Sequence, residues 1–206
     1  ACAPFRRLHL CSHNLENISD YDSNVRHKLL LDVCMAAKYE GASIKGYYPK
    51  YQEKYKDYGS TMCTVLARSF ADIGDIVRGR DIFRGNDEEK KRDELDDKLK
   101  NIFGKIHKEV TTTNGAEERY KDEPDNNFYQ LREDWWTANR ETVWEAITCD
   151  VHGSQYFRGT CGTGPKLNLT NNDCRCDKEK GAKDGDQVPT YFDYVPQYLR
   201  WFEEWA

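Results

Sequence analysis

The 206 residues are enough for one large domain or two small lobes, and the chain can bury its own core. Charged residues make up 33% of the chain and hydrophobic residues only 38%, so the rings of 13 Tyr, 8 Phe and 5 Trp must supply much of the buried area. A formal net charge of -5 argues against a nucleic-acid partner, and the longest apolar stretches are far too short to span a membrane.

Eight cysteines without a CxxC pair favour a disulfide framework over a metal site, and such frameworks are typical of secreted or surface-displayed proteins. All eight are disulfide candidates: Cys2, Cys11, Cys34, Cys63, Cys149, Cys161, Cys174 and Cys176. The histidines lie in no recognisable nucleophile motif, and the chain contains no phosphate loop and no dinucleotide motif. The sequence therefore predicts no catalytic residue, no metal and no cofactor, and we expect a protein that is not an enzyme.

The first twelve residues are typical of a loop closed by a cystine between Cys2 and Cys11, although both thiols could equally pair elsewhere. Residues 24–40 then place apolar side chains on one broad helical face, and Gly41 is a natural helix stop. The Tyr/Lys-rich stretch 47–58 has no clear period, which is typical of a surface loop or a frayed helix.

From Thr61 the apolar side chains recur at three and four residues, which predicts a helix to about Arg78. Gly74 lies inside this helix, where glycine costs about 1 kcal/mol relative to Ala, and it therefore indicates close packing against a neighbour.

Asp72 and Asp75 lie on one edge of the same helix, flanked by Arg68 and Arg78. A hydrolase would need two such carboxylates isolated in a cleft. We interpret them instead as an intrahelical ion-pair lattice or as buried polar contacts to a neighbouring helix.

Residues 86–110 contain a single apolar stripe and predict an amphipathic helix with a charged outer face. The polar residues 111–127 predict a linker. From Tyr129 the most hydrophobic helix of the chain is expected to end near Cys149.

Residues 150–188 are Gly-rich and polar and have no apolar period, which predicts a long excursion held by cystines. The aromatic-rich end of the chain, 189–206, predicts a last helix with Pro196 near its start. That run carries no capping residue after it, so we interpret the chain as a piece of something larger.

Four blocks of sequence resemble a known family. They are ACAPFRRLHLC at 1–11, ARSFADIGDIVRG at 67–79, REDWWTANR at 132–140 and VPTYFDYVPQYLRWFEEW at 188–205. Together they resemble the alpha-class Duffy-binding-like domain of the variant erythrocyte membrane antigens of Plasmodium falciparum. The match covers essentially the whole chain in the expected order.

The resemblance implies an all-α fold, a disulfide-stabilised helical bundle with long loops that forms part of a larger domain. Residues 1–23 would be the end of a loop-rich first subdomain. Residues 24–188 would be the helical second subdomain, with long loops at 111–127 and 150–188. Residues 189–206 would be the first helix of a truncated third subdomain.

The resemblance also implies a function in adhesion, by rosetting or cytoadhesion, on the extracellular face of the infected erythrocyte as part of a membrane-anchored, antigenically variable protein. Expected partners are a host erythrocyte or endothelial receptor, or a sulphated glycan such as heparan sulphate; a blood-group sugar and complement receptor are further candidates. Neighbouring domains and antibodies would also bind it. The alternative is a structural spacer, with binding carried by neighbouring domains.

Disulfide pairing is implied only through the family. Erythrocyte-binding relatives lack cysteines that match Cys34 and Cys149, and this paired loss suggests a bond between the two. Cys63 would then pair with Cys161, Cys174 or Cys176.

Two sets of side chains are candidates for sugar binding. Arg6 and Arg7 would either contact an anionic glycan or form salt bridges within the fold, and four lysines would form either a binding patch or a solvated face. These lysines are Lys45, Lys50, Lys54 and Lys56. Helical spacing favours a core role over a sugar-stacking role for three tryptophans, and two further residues are expected in the core. The expected core residues are Trp135, Trp136, Trp144, Phe70 and Ile73.

Overall fold

The computed structural model is mainly helical, as predicted, and its described part contains no β-strand, only isolated bridges. The described residues are 2–19, 23–55, 61–83, 89–114, 119–120, 127–162, 165–177 and 187–205. The helices are α1 (Phe5–Leu8), α2 (His13–Glu16), α3 (Val25–Tyr55), α4 (Met62–Arg78), α5 (Glu89–Asn114), α6 (Tyr129–Ile147) and α7 (Gln197–Trp205), with a 3-10 helix at Phe192–Tyr194.

The core lies where α3, α4 and α6 pack together, with α5 against α3 and α6. Aromatic rings fill its centre: the centroid of Phe70 lies 5.1 Å from that of Trp136 and 5.3 Å from that of Trp144. Such tilted and edge-on ring pairs contribute about 0.5–1.5 kcal/mol beyond the area they bury. The predicted aromatic core is therefore present.

Helix α4 begins and ends as the sequence predicted. The Thr61 hydroxyl accepts a hydrogen bond from the Thr64 N–H and caps the first turn, and Gly79 ends the helix with a φ of 71°. A Cβ on Gly74 would lie 2.7 Å from the indole of Trp136, so the predicted close packing at this glycine is confirmed.

The prediction that Gly41 ends helix α3 is wrong. The helix continues through Gly41 and Pro49 to Tyr55, so most of the stretch predicted as a loop or frayed helix is helical. Gly41 faces the backbone carbonyl of Ile147, where any Cβ would collide. The glycine therefore allows α3 to approach the end of α6, and it does not terminate the helix.

Helix α5 extends to Asn114, so the predicted linker at 111–127 begins later than expected. The hydroxyls of Thr111 and Thr112 donate hydrogen bonds to the carbonyls of His107 and Lys108, one turn earlier, at 2.8 and 2.6 Å. These bonds give both hydroxyls a partner within the helix. Within the rest of the predicted linker, residues 115–118 and 121–126 lie outside the described part.

Helix α6 ends at Ile147, close to the predicted position. The described residues from 150 to 177 contain no helix, in agreement with the predicted excursion. Helix α7 starts at Gln197, directly after Pro196, as expected. None of the described helices is both long and apolar enough to cross a membrane.

Candidate functional site

The two disulfide bonds of the structure lie at the excursion. Cys63, in the first turn of α4, is bonded to Cys174, one of the three partners that the resemblance implied. Cys161 is bonded to Cys176. The first bond joins the excursion to the helical core, and the second closes a smaller loop within it.

The other four cysteines are unpaired in the structure, which corrects two expectations. Cys2 and Cys11 do not close the N-terminal loop, which instead forms α1 and α2. The implied bond between Cys34 and Cys149 is also absent. Gly41, about 10 Å further along α3 than Cys34, is the residue that contacts the end of α6.

Arg6 and Arg7 form salt bridges within the fold. The guanidinium of Arg6 lies 2.8 Å from the carboxylates of both Asp72 and Glu204. Arg7 is paired with Asp81, and its guanidinium lies 4.7 Å from the ring centroid of Phe83. Both arginine side chains are almost fully buried, so neither is available to a glycan.

Asp72 and Asp75 form the centre of a buried polar cluster. Arg200 of α7 donates to both carboxylates, at 2.7 Å to Asp72 and 2.5 Å to Asp75. Arg78 donates to Asp75 at 2.8 Å from within α4. Both interpretations of these residues were therefore correct in part, since Asp75 pairs along its own helix and Asp72 pairs with other helices. Arg68 pairs instead with Glu203 of α7.

The pKa values of Asp72 and Asp75 are shifted in opposite directions. Burial alone would raise the pKa of Asp72, but the charges of Arg6 and Arg200 hold this pKa below its usual value. Burial raises the pKa of Asp75 to about 6, against the opposing charges of Arg200 and Arg78. Both groups are occupied by arginine donors, which is the arrangement of a structural cluster and not of a catalytic pair.

The tryptophans predicted as core are buried and cannot offer a sugar-stacking face. The indole N–H of Trp136 donates to Asp193 at 2.9 Å, and that of Trp144 donates to the carbonyl of Cys174 at 3.1 Å. Phe70 and Ile73 are buried beside them. The carboxylate of Asp193 also accepts a hydrogen bond from Arg140. The sequence did not predict this role, because a single acidic residue in an aromatic stretch forms no pattern that marks it as buried.

Only two of the four candidate lysines can be placed. Lys45 and Lys50 are exposed on α3. Five residues of helix put them about 140° apart around the axis, so they do not share one face. The side chain of Lys54 and the whole of Lys56 lie outside the described residues. Among the described residues, no group of His, Cys, Asp and Glu side chains could hold a metal ion.

Two exposed apolar surfaces were not predicted. The outer face of α7 carries exposed aromatic and aliphatic side chains. They are Tyr198, Leu199, Phe202 and Trp205. The second surface lies in the excursion, at Phe157, Leu167 and Leu169. The aromatic-rich end of the chain predicted a helix, and only the structure shows which of its side chains face outward.

A sequence model of the Duffy binding domain matches residues 1–200. The chain belongs to the Duffy binding domain family. A search of curated proteins found no significant match.

This Duffy binding domain chain is similar to solved PfEMP1 structures. It is 43% identical to the NTS-DBL1(alpha-1) domain of PfEMP1 from the Plasmodium falciparum varO strain, with a TM-score of 0.72. The match covers 100% of this chain and 43% of that chain. It is 33% identical to the PfEMP1 IT4var13 DBLbeta domain bound to ICAM-1, with a TM-score of 0.65. The match covers 100% of this chain and 44% of that chain. The chain thus spans less than half of the structures it matches.

Proposed function

We propose that this chain is part of an adhesion module that binds a host-cell receptor or a host glycan. The observation that carries the proposal is its membership of the Duffy binding domain family, together with similarity of the whole chain to 44% of a PfEMP1 domain bound to ICAM-1. Its place would be the outer face of the infected erythrocyte, within a membrane-anchored antigen exposed to antibodies. Rosetting and cytoadhesion are the two activities that such a module would support.

A non-enzymatic role agrees with the chemistry of the carboxylates and cysteines. Asp72 and Asp75 are occupied by arginines, and Cys34 and Cys11 are thiols whose pKa values burial raises to about 11. A thiol with a raised pKa is a poor nucleophile at neutral pH. These groups support structural roles and not catalysis.

The division into subdomains remains part of the proposal, with α7 as the first helix of a third subdomain. Helix α7 turns its polar side chains inward, since Gln197 and Arg200 both donate to Asp72. Trp201 is buried, but the other large apolar side chains of α7 face out, and Phe202 is 74% exposed. A helix with this polarity supports packing of further protein against its outer face.

Lys45 and Lys50 are the remaining candidates for contact with a sulphated glycan such as heparan sulphate. Both side chains are exposed. Their positive charges can attract an anionic group of a glycan. Arg6 and Arg7 are no longer candidates, because they are buried in ion pairs.

A spacer is the second candidate function. It is favoured by the burial of residues that carry the family resemblance, since Trp136 and Phe70 lie fully within the core. Under this alternative, binding would be carried by neighbouring domains and this unit would act as scaffold.

Cell binding separates the two candidate functions. The oxidised chain should bind human erythrocytes or endothelial cells, or immobilised heparin, and binding to heparin should weaken with salt. Lys45→Glu and Lys50→Glu, made separately, should each reduce heparin binding, while Lys108→Glu, on α5, serves as a charge-matched control. Absence of binding to both cell types and to heparin, with an active neighbouring domain, would favour the spacer.

A further inference from the structure

The excursion presents an exposed apolar surface on ordered backbone. Phe157, Leu167 and Leu169 are 53%, 47% and 53% exposed. The N–H of Tyr156 donates to the hydroxyl of Thr170 at 2.9 Å, and a Cβ on Gly159 would lie 2.9 Å from the carbonyl of Leu167. These contacts bring together the two segments that carry the three exposed apolar side chains, here called the 157–169 surface.

The backbone beneath the 157–169 surface is braced from several sides. Cys161 and Asn168 exchange backbone hydrogen bonds of 2.9 and 2.8 Å. The side chain of Gln187 accepts from the N–H of Gly162 and donates to the carbonyl of Thr160, both at 2.8 Å. The Cys161–Cys176 disulfide closes the loop.

The braced loop is also attached to the core. The Cys63–Cys174 disulfide joins it to α4, and the Tyr156 hydroxyl donates to Thr190 at 3.0 Å. A surface held in this way loses little conformational freedom when a partner binds, and exposed apolar side chains on rigid backbone are a feature of interaction sites.

The charged side chains on the segments that form the 157–169 surface are cationic. From 151 to 172 the sequence contains no Asp or Glu, although the chain as a whole has a net charge of -5. Arg158 and Lys166 are exposed at its edge, and the guanidinium of Arg158 lies 5.7 Å from the ring centroid of Phe157. The acidic residue that follows, Asp173, is hydrogen-bonded to His152. The rim is therefore cationic.

We propose that the 157–169 surface docks a host protein that presents an apolar side chain flanked by carboxylates. The apolar centre would bury against Phe157, Leu167 and Leu169, while Arg158 and Lys166 would pair with the acidic rim of the partner. A sulphated glycan fits less well, because it binds through many cations and gains little from two leucines. This inference rests on the proposed function in adhesion and assigns that function to a surface and to a class of partner.

The test compares surface variants of the oxidised 206-residue chain on intact human erythrocytes and human endothelial cells. Leu167→Ser with Leu169→Ser removes the apolar centre, and Lys166→Glu reverses the charge of the rim. Matched controls are Leu31→Ser, an exposed leucine on α3, and Phe202→Ser, which reports non-specific adsorption through α7. Cells are also treated with a protease or with heparinase before binding.

The inference predicts that the double leucine variant and Lys166→Glu each bind at least about tenfold more weakly, while Leu31→Ser binds like the parent chain. Protease treatment of the cells should abolish binding and heparinase should not.

Equal binding by the parent and both surface variants would overturn the inference and leave the adhesive function standing. Binding that survives protease but not heparinase would assign a glycan instead. No binding of the parent chain to either cell type would refute the inference as well as the adhesive function on these cells.

Discussion

At the scale of single residues, glycine shows what a sequence leaves open. Gly74 and Gly41 both lie within helices and both meet a neighbouring element, yet the sequence predicted packing for one and a helix end for the other. A glycine signals either freedom of φ or absence of a side chain, and the sequence does not say which. Gly79 uses the first property, since its φ is 71°.

The packing at Gly74 can be tested with Gly74→Ala. The added methyl group would lie 2.7 Å from the Trp136 indole, so overpacking should cost about 1–3 kcal/mol and outweigh the gain of about 1 kcal/mol in helix propensity. Urea unfolding should therefore show a less stable variant.

Gly46→Ala is the matched control, because it is an exposed helical glycine with nothing within 4 Å of the added methyl group. This change should stabilise the chain by up to about 1 kcal/mol. If Gly74→Ala were as stabilising as Gly46→Ala, the two helices would not be in contact at Gly74.

At the scale of elements, the excursion differs from the helices in how it is ordered. It has no apolar period, and its described backbone contains only isolated bridges between extended segments. Its order comes from two disulfides and from side-chain hydrogen bonds such as that of Gln187 to Thr160. The helices obtain the same order from buried apolar faces.

The two disulfides should contribute unequally to stability. Cys63–Cys174 spans 111 residues and Cys161–Cys176 only 15, and a longer closed loop restricts the unfolded chain more strongly. Removing the long-range bond by Cys63→Ser with Cys174→Ser should cost about 2 kcal/mol more than Cys161→Ser with Cys176→Ser. Urea unfolding of the two double variants measures the difference, and a larger cost for the short loop would contradict the loop-entropy argument.

At the scale of the whole molecule, one buried cluster joins distant parts of the chain. Arg6 near the start, Asp72 and Asp75 in α4, and Arg200 near the end meet within hydrogen-bonding distance. Breaking such a cluster leaves a charge buried without its partner, which is far more costly than losing a surface pair. The cluster therefore fixes α1 and α7 against the bundle.

The cluster should make the stability of the chain depend on pH. Asp75 has a pKa of about 6 in the folded state, above the ordinary value of 3.8, so the folded chain binds more protons between these two values. The contribution of Asp75 to stability is thus fully present below pH 3.8 and is lost as the pH rises through 6, by up to about 3 kcal/mol.

Unfolding of the parent chain and Asp75→Asn at pH 4.5 and pH 7.5 tests this dependence. The variant lacks the titrating group, so it should lose less stability than the parent when the pH is raised. Titrating groups away from the cluster are common to both proteins and cancel in the comparison. Equal losses in the two proteins would show that Asp75 titrates normally.

The sequence by itself determined the helical class, the positions of α4, α6 and α7, the aromatic core and the family. Each of these follows from a local period, a cap or a block of residues close together in the chain, as with Thr61 and Gly79 around α4. The tertiary structure alone decided the cysteine pairing, the burial of Arg6 and Arg7, the role of Gly41 and the outward face of α7. These features depend on which side chains meet across the fold, and spacing along the chain does not encode such contacts.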